Sequence, residues 1–210
     1  MTEKHIIINK TARYYTLGSL NERTKQVWFV LHGHGQLAGN FIKKFEPLLS
    51  DDVFFIAPEA LNHFYLKRGS MDVGATWMTK EDRLNEIKDY VNYLNDLYEN
   101  FDLDQYANVK ITALGFSQGA SAVTRWVNAT QHRIDRTLVY AGEVAPELIP
   151  LQETSGLKRS QNHFIYGTED EFFKPVIFDE MIARYESVNL NLIKYEGTHE
   201  IYSEVLKPLV

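Results

Sequence analysis

The chain has 210 residues, which predicts a single domain over residues 1–210, and its 44% hydrophobic content is typical of a globular protein. The absence of cysteine excludes a disulfide framework, a thiolate metal site and a cysteine nucleophile. The formal net charge of −6 argues against a nucleic-acid partner, because phosphate binding needs clustered lysine and arginine side chains.

The N-terminal residues do not resemble a signal peptide. Only three apolar residues, Ile6, Ile7 and Ile8, follow the polar start of the chain before Asn9. Elsewhere no apolar run approaches the roughly 18 residues that a membrane span requires. We therefore expect a cytoplasmic protein without a membrane span.

Short apolar runs rich in β-branched and aromatic residues predict the strands of a central sheet. An N-terminal pair, 6–8 and 12–17, predicts antiparallel edge strands. The runs that follow are nearly continuous in apolar residues, which is typical of parallel strands that are buried on both faces. In chain order these predicted strands are 27–31, 53–56, 109–114, 138–140, 164–166 and 190–195.

Amphipathic stretches between these strands predict helices. The predicted helices are 81–100, 120–130, 175–188 and a terminal segment from His199. Strands and helices that alternate in this way indicate an α/β domain with a mainly parallel central sheet flanked by helices. Two connections, 61–76 and 143–161, are long for such a domain, and long loops often carry function. We expect these two connections to form pocket walls.

The segment Gly115-Phe116-Ser117-Gln118-Gly119 lies between a predicted strand and a predicted helix. It matches the G-x-S-x-G pattern, in which a sharp strand-to-helix turn lifts a serine hydroxyl clear of the sheet and glycines let the two elements approach. Ser117 is therefore the candidate nucleophile. The alternative is a glycine-rich turn whose serine caps the helix.

A serine nucleophile needs a base and an orienting carboxylate, in the chain order Ser, Asp or Glu, His for this kind of fold. Asp170 follows the predicted strand 164–166, and His199 follows the predicted strand 190–195. Carboxyl ends of parallel strands share one rim, so we expect Ser117, Asp170 and His199 to meet there. Glu169 and Glu171 flank Asp170 and are the alternative acids.

The segment His32-Gly33-His34-Gly35 follows the predicted strand 27–31 and is a candidate for the second half of an oxyanion hole. This kind of site takes one backbone N–H from the residue after the nucleophile and one from an early His-Gly loop, here Gln118 and His34. His32 and His34 are also alternative candidates for metal ligands. Gly33, Gly35 and Gly39 resemble the G-x-G-x-x-G pattern of a dinucleotide-binding loop, but the third glycine comes one residue later than that pattern requires. We expect neither a metal ion nor another cofactor.

Taken together, these motifs resemble the α/β-hydrolase superfamily, and within it the phospholipase/carboxylesterase group that includes acyl-protein thioesterases. The resemblance covers nearly the whole chain from Val27 to His199. It rests on Leu31-His32-Gly33-x-Gly35, Ala75-Thr76-Trp77-Met78, Gly115-Phe116-Ser117-Gln118-Gly119, Ala141-Gly142, Tyr166-Gly167-Thr168-Glu169-Asp170 and Gly197-Thr198-His199. It implies an α/β-hydrolase fold with little or no lid, a triad of Ser117, Asp170 and His199, and an oxyanion hole from the amides of His34 and Gln118.

The chain departs from the family pattern at the mouth of the expected pocket. His34 stands where an apolar residue is usual, Gln36 where the family often has aspartate, and Phe172-Phe173 where small residues follow the triad acid. We expect an apolar acyl site lined by Trp77, Met78, Met71, Phe172 and Phe173, with the alternative that Met78 and Phe173 belong to the core.

These expectations describe a serine hydrolase that cleaves carboxylic esters or thioesters of short to medium acyl chains through an acyl-enzyme. The expected partner is a small-molecule or acylated ester substrate. Two other functions remain: a peptidase or amidase that uses the same triad, and a ligand receptor on this fold that binds without turnover.

Overall fold

The computed structural model describes residues 1–172 and 175–210, with the backbone alone given for 175–179. Its strands are β1 (Tyr14–Leu17), β2 (Gln26–Leu31), β3 (Val53–Pro58), β4 (Asn62–Tyr65), β5 (Val73–Thr76), β6 (Lys110–Phe116), β7 (Arg136–Tyr140), β8 (Gln161–Gly167) and β9 (Leu190–Tyr195). The helices are α1 (Ala38–Phe41), α2 (Arg83–Asn100), α3 (Gln118–Ala129), α4 (Pro175–Arg184) and α5 (Ser203–Leu206). Between them lie 3₁₀ turns at Ile42–Leu48, Leu103–Gln105, Pro146–Leu148, Gly156–Lys158, Glu186–Val188 and Lys207–Leu209.

A seven-stranded sheet runs through the described residues in the order β1-β3-β2-β6-β7-β8-β9. Strand β1 pairs antiparallel with β3 at one edge, and all the other neighbours pair in parallel. The mainly parallel central sheet flanked by helices that the sequence predicts is therefore confirmed. Strands β4 and β5 form a separate antiparallel hairpin.

The core lies on both faces of this sheet, as β2 illustrates. Val27, Phe29 and Leu31 belong to the cluster that also holds buried residues of α2 and α3. Trp28 and Val30 point to the opposite face, where α1, the 3₁₀ turn after it and α5 pack. All five side chains are completely buried, which explains why β2 reads as a continuous apolar run.

Four predicted elements differ from the structure. Residues 6–8 form no strand and their isoleucines are exposed, because β1 alone supplies the antiparallel pairing on β3. The predicted loop 61–76 contains the hairpin of β4 and β5, and the last helix begins at Ser203 rather than at His199. The helix predicted over 175–188 ends at Arg184 and continues as a 3₁₀ turn.

Within the described residues, none of the helices combines the length and the apolar character that crossing a bilayer requires. The parallel strands instead place their carboxyl ends along one rim of the sheet. Residues 32–36 follow β2, Ser117 follows β6, Asp170 follows β8 and His199 follows β9, so this rim gathers the candidate residues.

Candidate active site

Ser117 occupies a sharp turn between β6 and α3 with backbone angles φ 53° and ψ −119°. A non-glycine residue rarely adopts a positive φ, and such strain persists only where the surroundings hold it in place. Here the amide of Ser117 donates to the carbonyl of Tyr140 on the neighbouring strand, at 3.0 Å. The turn is thus fastened to the sheet at the residue that carries the hydroxyl.

The two glycines of the turn are required by close backbone approach. A Cβ atom on Gly115 would lie 2.1 Å from the carbonyl oxygen of Gly119. A Cβ atom on Gly119 would lie 2.4 Å from the carbonyl oxygen of Leu31 at the end of β2. Neither position has room for a side chain, which gives the G-x-S-x-G pattern a steric explanation.

Asp170 and His199 lie in direct contact. Asp170 Oδ2 is 2.7 Å from His199 Nδ1, and the aspartate side chain is completely shielded from solvent while the imidazole is 23% exposed. The other carboxylate oxygen of Asp170 accepts the backbone N–H of Phe172 at 3.0 Å. Glu169 and Glu171 are exposed, so of the three acids it is Asp170 that meets the histidine.

The imidazole of His199 lies between two aromatic rings. Its centroid is 4.9 Å from that of Phe116, which precedes Ser117, and 4.7 Å from that of Phe172. This places His199 beside the turn that carries Ser117. Across the described residues Ser117 Oγ forms no hydrogen bond with the ring at 3.5 Å or less, and catalytic hydrogen bonds in free enzymes are often longer than in complexes.

Residues 32–36 lie against the turn that carries Ser117, on the β2 side. A Cβ atom on Gly33 would lie 3.2 Å from Ser117 Cβ, and the amide of Gly33 donates to Gln36 Oε1 at 2.8 Å. The backbone amides of His34 and Gln118 have no hydrogen-bond acceptor among the described residues. Both N–H groups therefore remain available to a ligand.

His32 is a buried structural residue. Its Nε2 accepts the amide of Ala60 at 3.1 Å, and its Nδ1 lies 2.8 Å from the carbonyl oxygen of Gly33, which it can only approach as a donor. Burial lowers the pKa of His32 to about 4, so the ring is neutral near pH 7. Nδ1 carries the proton and the lone pair of Nε2 accepts the amide of Ala60, so His32 has no free lone pair for a metal ion.

This burial predicts a stability change with pH. The pKa of His32 is about 4 in the folded protein and roughly 6.5 in the unfolded chain. The contribution of the neutral ring to the free energy of unfolding is therefore complete above pH 6.5 and is lost as the pH falls toward 4. In His32→Gln the amide retains an acceptor for Ala60 and a donor for Gly33 but does not titrate. Urea unfolding at pH 7 and 5 should therefore show a smaller loss of unfolding free energy in the variant, whereas equal losses would contradict the assignment.

Trp77 is not a pocket residue, contrary to the sequence-based expectation. It is 1% exposed, its indole N–H donates to the carbonyl of His32 at 2.8 Å, and its ring packs edge-on against Tyr90 at 5.9 Å. A buried indole is stable when its N–H has a hydrogen-bond acceptor, and the acceptor here, His32, is remote from Trp77 in sequence.

The other expected substrate residues have different environments. Met78 is half-buried against the core, and its sulfur lies 3.5 Å from Arg125 Nη1. Met71 is 83% exposed on the connection between β4 and β5. Phe172 is 62% exposed beside His199, and Phe173 lies outside the described residues.

A cavity of about 620 Å³ lies between the hairpin of β4 and β5 and the start of α1. Its lining residues are Gly35, Gln36, Leu37, Asn40, Phe41, Lys44, Leu66, Met71, Asp72 and Val73. Lys44 also forms a 2.6 Å ion pair with Glu200, the residue after His199. The cavity therefore adjoins the 32–36 loop, and Lys44, which the sequence did not single out, connects its wall to the residue after His199.

Both long connections line cavities. The connection 61–76 contributes Leu66, Met71 and Val73 to the larger one. A second cavity of about 340 Å³ is lined by Glu143, Pro146 and Ile149 from the connection 143–161, together with Met181, Arg184 and Tyr185. The hydroxyl of Ser121, one turn after Ser117, donates to the carbonyl of Glu143 and ties this connection to α3.

The chain was compared with known proteins. The model of the phospholipase/carboxylesterase family matches residues 16–209. Similar solved structures are esterase PE8 (19% identity, TM-score 0.65, 95% of this chain and 96% of that chain), the Bacillus cereus carboxylesterase (14%, 0.67, 96% and 92%) and Zea mays acyl-protein thioesterase 2 (14%, 0.66, 95% and 96%). No curated protein sequence matches. At these identities the solved structures show the fold, and the family match covers nearly the whole chain.

Proposed function

Since the chain belongs to the phospholipase/carboxylesterase family and is a hydrolytic enzyme of the carboxylesterase type, we propose that it works through a triad of Ser117, His199 and Asp170. The contact that carries this proposal is the 2.7 Å pair of His199 and the fully shielded Asp170, held beside the strained turn of Ser117. A carboxylate buried against an imidazole fixes the ring tautomer and stabilises the cation that forms during proton transfer.

In the first half-reaction His199 Nε2 takes the proton of Ser117 as the serine oxygen forms a bond to the ester or thioester carbonyl carbon. The carbonyl double bond opens and its electron pair moves to the oxygen. When the tetrahedral intermediate collapses, the bond to the alcohol or thiol breaks. The leaving group takes the proton from His199, and an acyl-enzyme remains on Ser117.

In the second half-reaction a water molecule replaces the alcohol. His199 takes one water proton as the hydroxyl oxygen bonds to the acyl carbon. The new intermediate collapses, the bond to Ser117 breaks, and the serine oxygen recovers its proton from His199. The products are a carboxylic acid and the free enzyme, so the cycle requires no cofactor.

The oxyanion of each intermediate is proposed to bind the backbone amides of His34 and Gln118. Neither amide has a protein acceptor among the described residues, and Gln118 begins α3, whose N-terminus favours negative charge. Donors that are in place before the reaction stabilise the charge as it develops, without a reorganisation cost.

The proposal is tested by the hydrolysis of matched p-nitrophenyl esters, the corresponding thioesters and p-nitroanilides. We expect ester and thioester turnover well above anilide turnover, because the alcohol and thiol leaving groups need less assistance than an amine. A preference for the anilides would favour a peptidase or amidase on the same residues. Tight binding of the ester without turnover would favour a receptor and contradict the proposal.

We also propose that the substrates have short to medium acyl chains. The cavity beside the site is only partly apolar, and both Lys44 and Asp72 line it. A long saturated chain would have to remove water from these charged groups, which costs free energy that a shorter chain avoids. The exposed ring of Phe172 lies 4.7 Å from the imidazole of His199, so it occupies space next to the proposed base.

Phe172→Ala should shift the preferred acyl length toward longer chains. Each methylene that gains a place is expected to add up to about 0.8 kcal/mol, or roughly fourfold in kcat/KM. The measurement is kcat/KM over p-nitrophenyl esters from acetyl to palmitoyl, with Leu192→Ala on the exposed face of β9 as the control. An unchanged length profile in Phe172→Ala would show that another wall sets the acyl length.

A further inference from the structure

A single hydroxyl joins the side chains of the two residues whose amides are proposed to hold the oxyanion. Thr76 ends β5 and is 4% exposed. Its Oγ1 accepts Gln118 Nε2 at 2.9 Å, lies 3.2 Å from His34 Nδ1, and donates to the carbonyl of Met78 at 3.0 Å. Its Oγ1 also lies 3.1 Å from Gln118 Oε1, so the single hydroxyl proton has more than one acceptor within reach.

The neighbours fix the orientation of the Gln118 amide. The backbone N–H of Trp77 donates to Gln118 Oε1 at 3.0 Å, and Gln118 Nε2 donates to the carbonyl of Met78 at 2.9 Å. The reverse amide orientation would set donor against donor, so only this one fits. The proton of Thr76 has acceptors at the carbonyl of Met78 and at Gln118 Oε1, and its contact with His34 Nδ1 is a donation or an acceptance according to the tautomer of the ring.

The 32–36 loop is supported by the hairpin at further points. The amide of Gly35 donates to the carbonyl of Ala75 at 2.9 Å, and the amide of Ala75 donates to the carbonyl of Gln36 at 3.2 Å. The imidazole of His34 stacks on Phe64 of β4 with centroids 4.9 Å apart. The hairpin therefore holds the 32–36 loop through hydrogen bonds and ring stacking. The contact between Thr76 and Gln118 joins the same hairpin to the first residue of α3.

We infer that Thr76 is a positioning residue, which sets the separation of the His34 and Gln118 amides through its hydroxyl. The inference rests on the proposed function, because it assigns those amides to the oxyanion. The negative charge exists only in the tetrahedral intermediates, so displaced donors weaken transition-state binding while ground-state binding is retained. Thr76 affects kcat without contacting the substrate.

The test is Thr76→Val, which keeps the shape of the side chain and removes the hydroxyl. We expect kcat for p-nitrophenyl butyrate to fall about 10- to 100-fold with KM within about twofold, less than the loss of a whole donor. The affinity for an alkylboronic acid, which becomes tetrahedral on the nucleophile, should fall by the same factor. Thr76→Ser should retain wild-type kcat, as should the control Thr79→Val, whose exposed hydroxyl contacts Glu86 instead.

Three results would overturn the inference: wild-type kcat and boronate affinity in Thr76→Val, a loss confined to KM, or an equal loss in Thr76→Ser. If Thr76→Val does not fold, His34→Phe keeps the stacking on Phe64 and removes one contact of the hydroxyl. This variant should lower kcat several-fold, and a wild-type kcat in His34→Phe would also overturn the inference.

Ser117→Ala measured in parallel separates the two proposals. If it is inactive while Thr76→Val is normal, only the role of Thr76 fails. Retained turnover in Ser117→Ala rejects the proposed function itself.

Discussion

Ser117→Ala should lower ester turnover by several orders of magnitude, roughly 10⁴-fold or more, while the protein remains folded. The substitution removes one oxygen atom and keeps the Cβ atom, so the strained turn and its bond to Tyr140 are retained. Without the hydroxyl no acyl-enzyme forms, and only substrate binding and the oxyanion donors remain. The measurements are kcat/KM for p-nitrophenyl butyrate and the circular dichroism spectrum of each protein.

A matched control for this variant is Ser121→Ala. Ser121 lies one helical turn further along α3, and its hydroxyl bonds to the carbonyl of Glu143. We expect its kcat/KM to stay near the wild-type value. Near-normal turnover in Ser117→Ala would show that the nucleophile lies elsewhere, and an equal loss in both variants would point to damage to α3.

Asp170→Asn should lower kcat on the order of 10³-fold or more, whereas Glu169→Gln should leave it almost unchanged. The asparagine amide cannot stabilise the imidazolium, and its N–H₂ group favours the wrong tautomer of His199. Glu169 is the neighbouring acid with an exposed side chain, so it is a close control for the loss of one carboxylate. Equal or reversed losses would move the orienting role to Glu169.

The sheet could be predicted from sequence because each strand is marked by a pattern of neighbouring residues. Strands such as β2 are continuous apolar runs, and burial on both faces of a parallel sheet demands that pattern. The turn that carries Ser117 could be predicted as well, since the glycines on both sides of Ser117 reflect close contacts of the backbone with itself. Chain order then indicated Asp170 and His199, which the structure places 2.7 Å apart.

The hairpin and the environment of Trp77 could not be predicted in this way. Strand β5 contains Gly74 and Ala75, which have low strand propensity, and its place is set by bonds to residues about forty positions earlier, such as Gly35. The N–H of Trp77 finds its acceptor at His32, again far away in sequence. The contacts of Thr76 with Gln118 and of Lys44 with Glu200 could not be predicted either, because each joins residues that are far apart in sequence.

The central claim, that Ser117 is the nucleophile, is tested most directly by labelling the folded protein with a fluorophosphonate and locating the adduct by peptide mass spectrometry. A fluorophosphonate modifies a serine that an adjacent base activates, which in the proposed triad is Ser117 beside His199. We predict one adduct, on the peptide that carries Ser117, with labelling abolished in Ser117→Ala and strongly slowed in Asp170→Asn. An adduct on another residue, or equal labelling of Ser117→Ala, would contradict the claim.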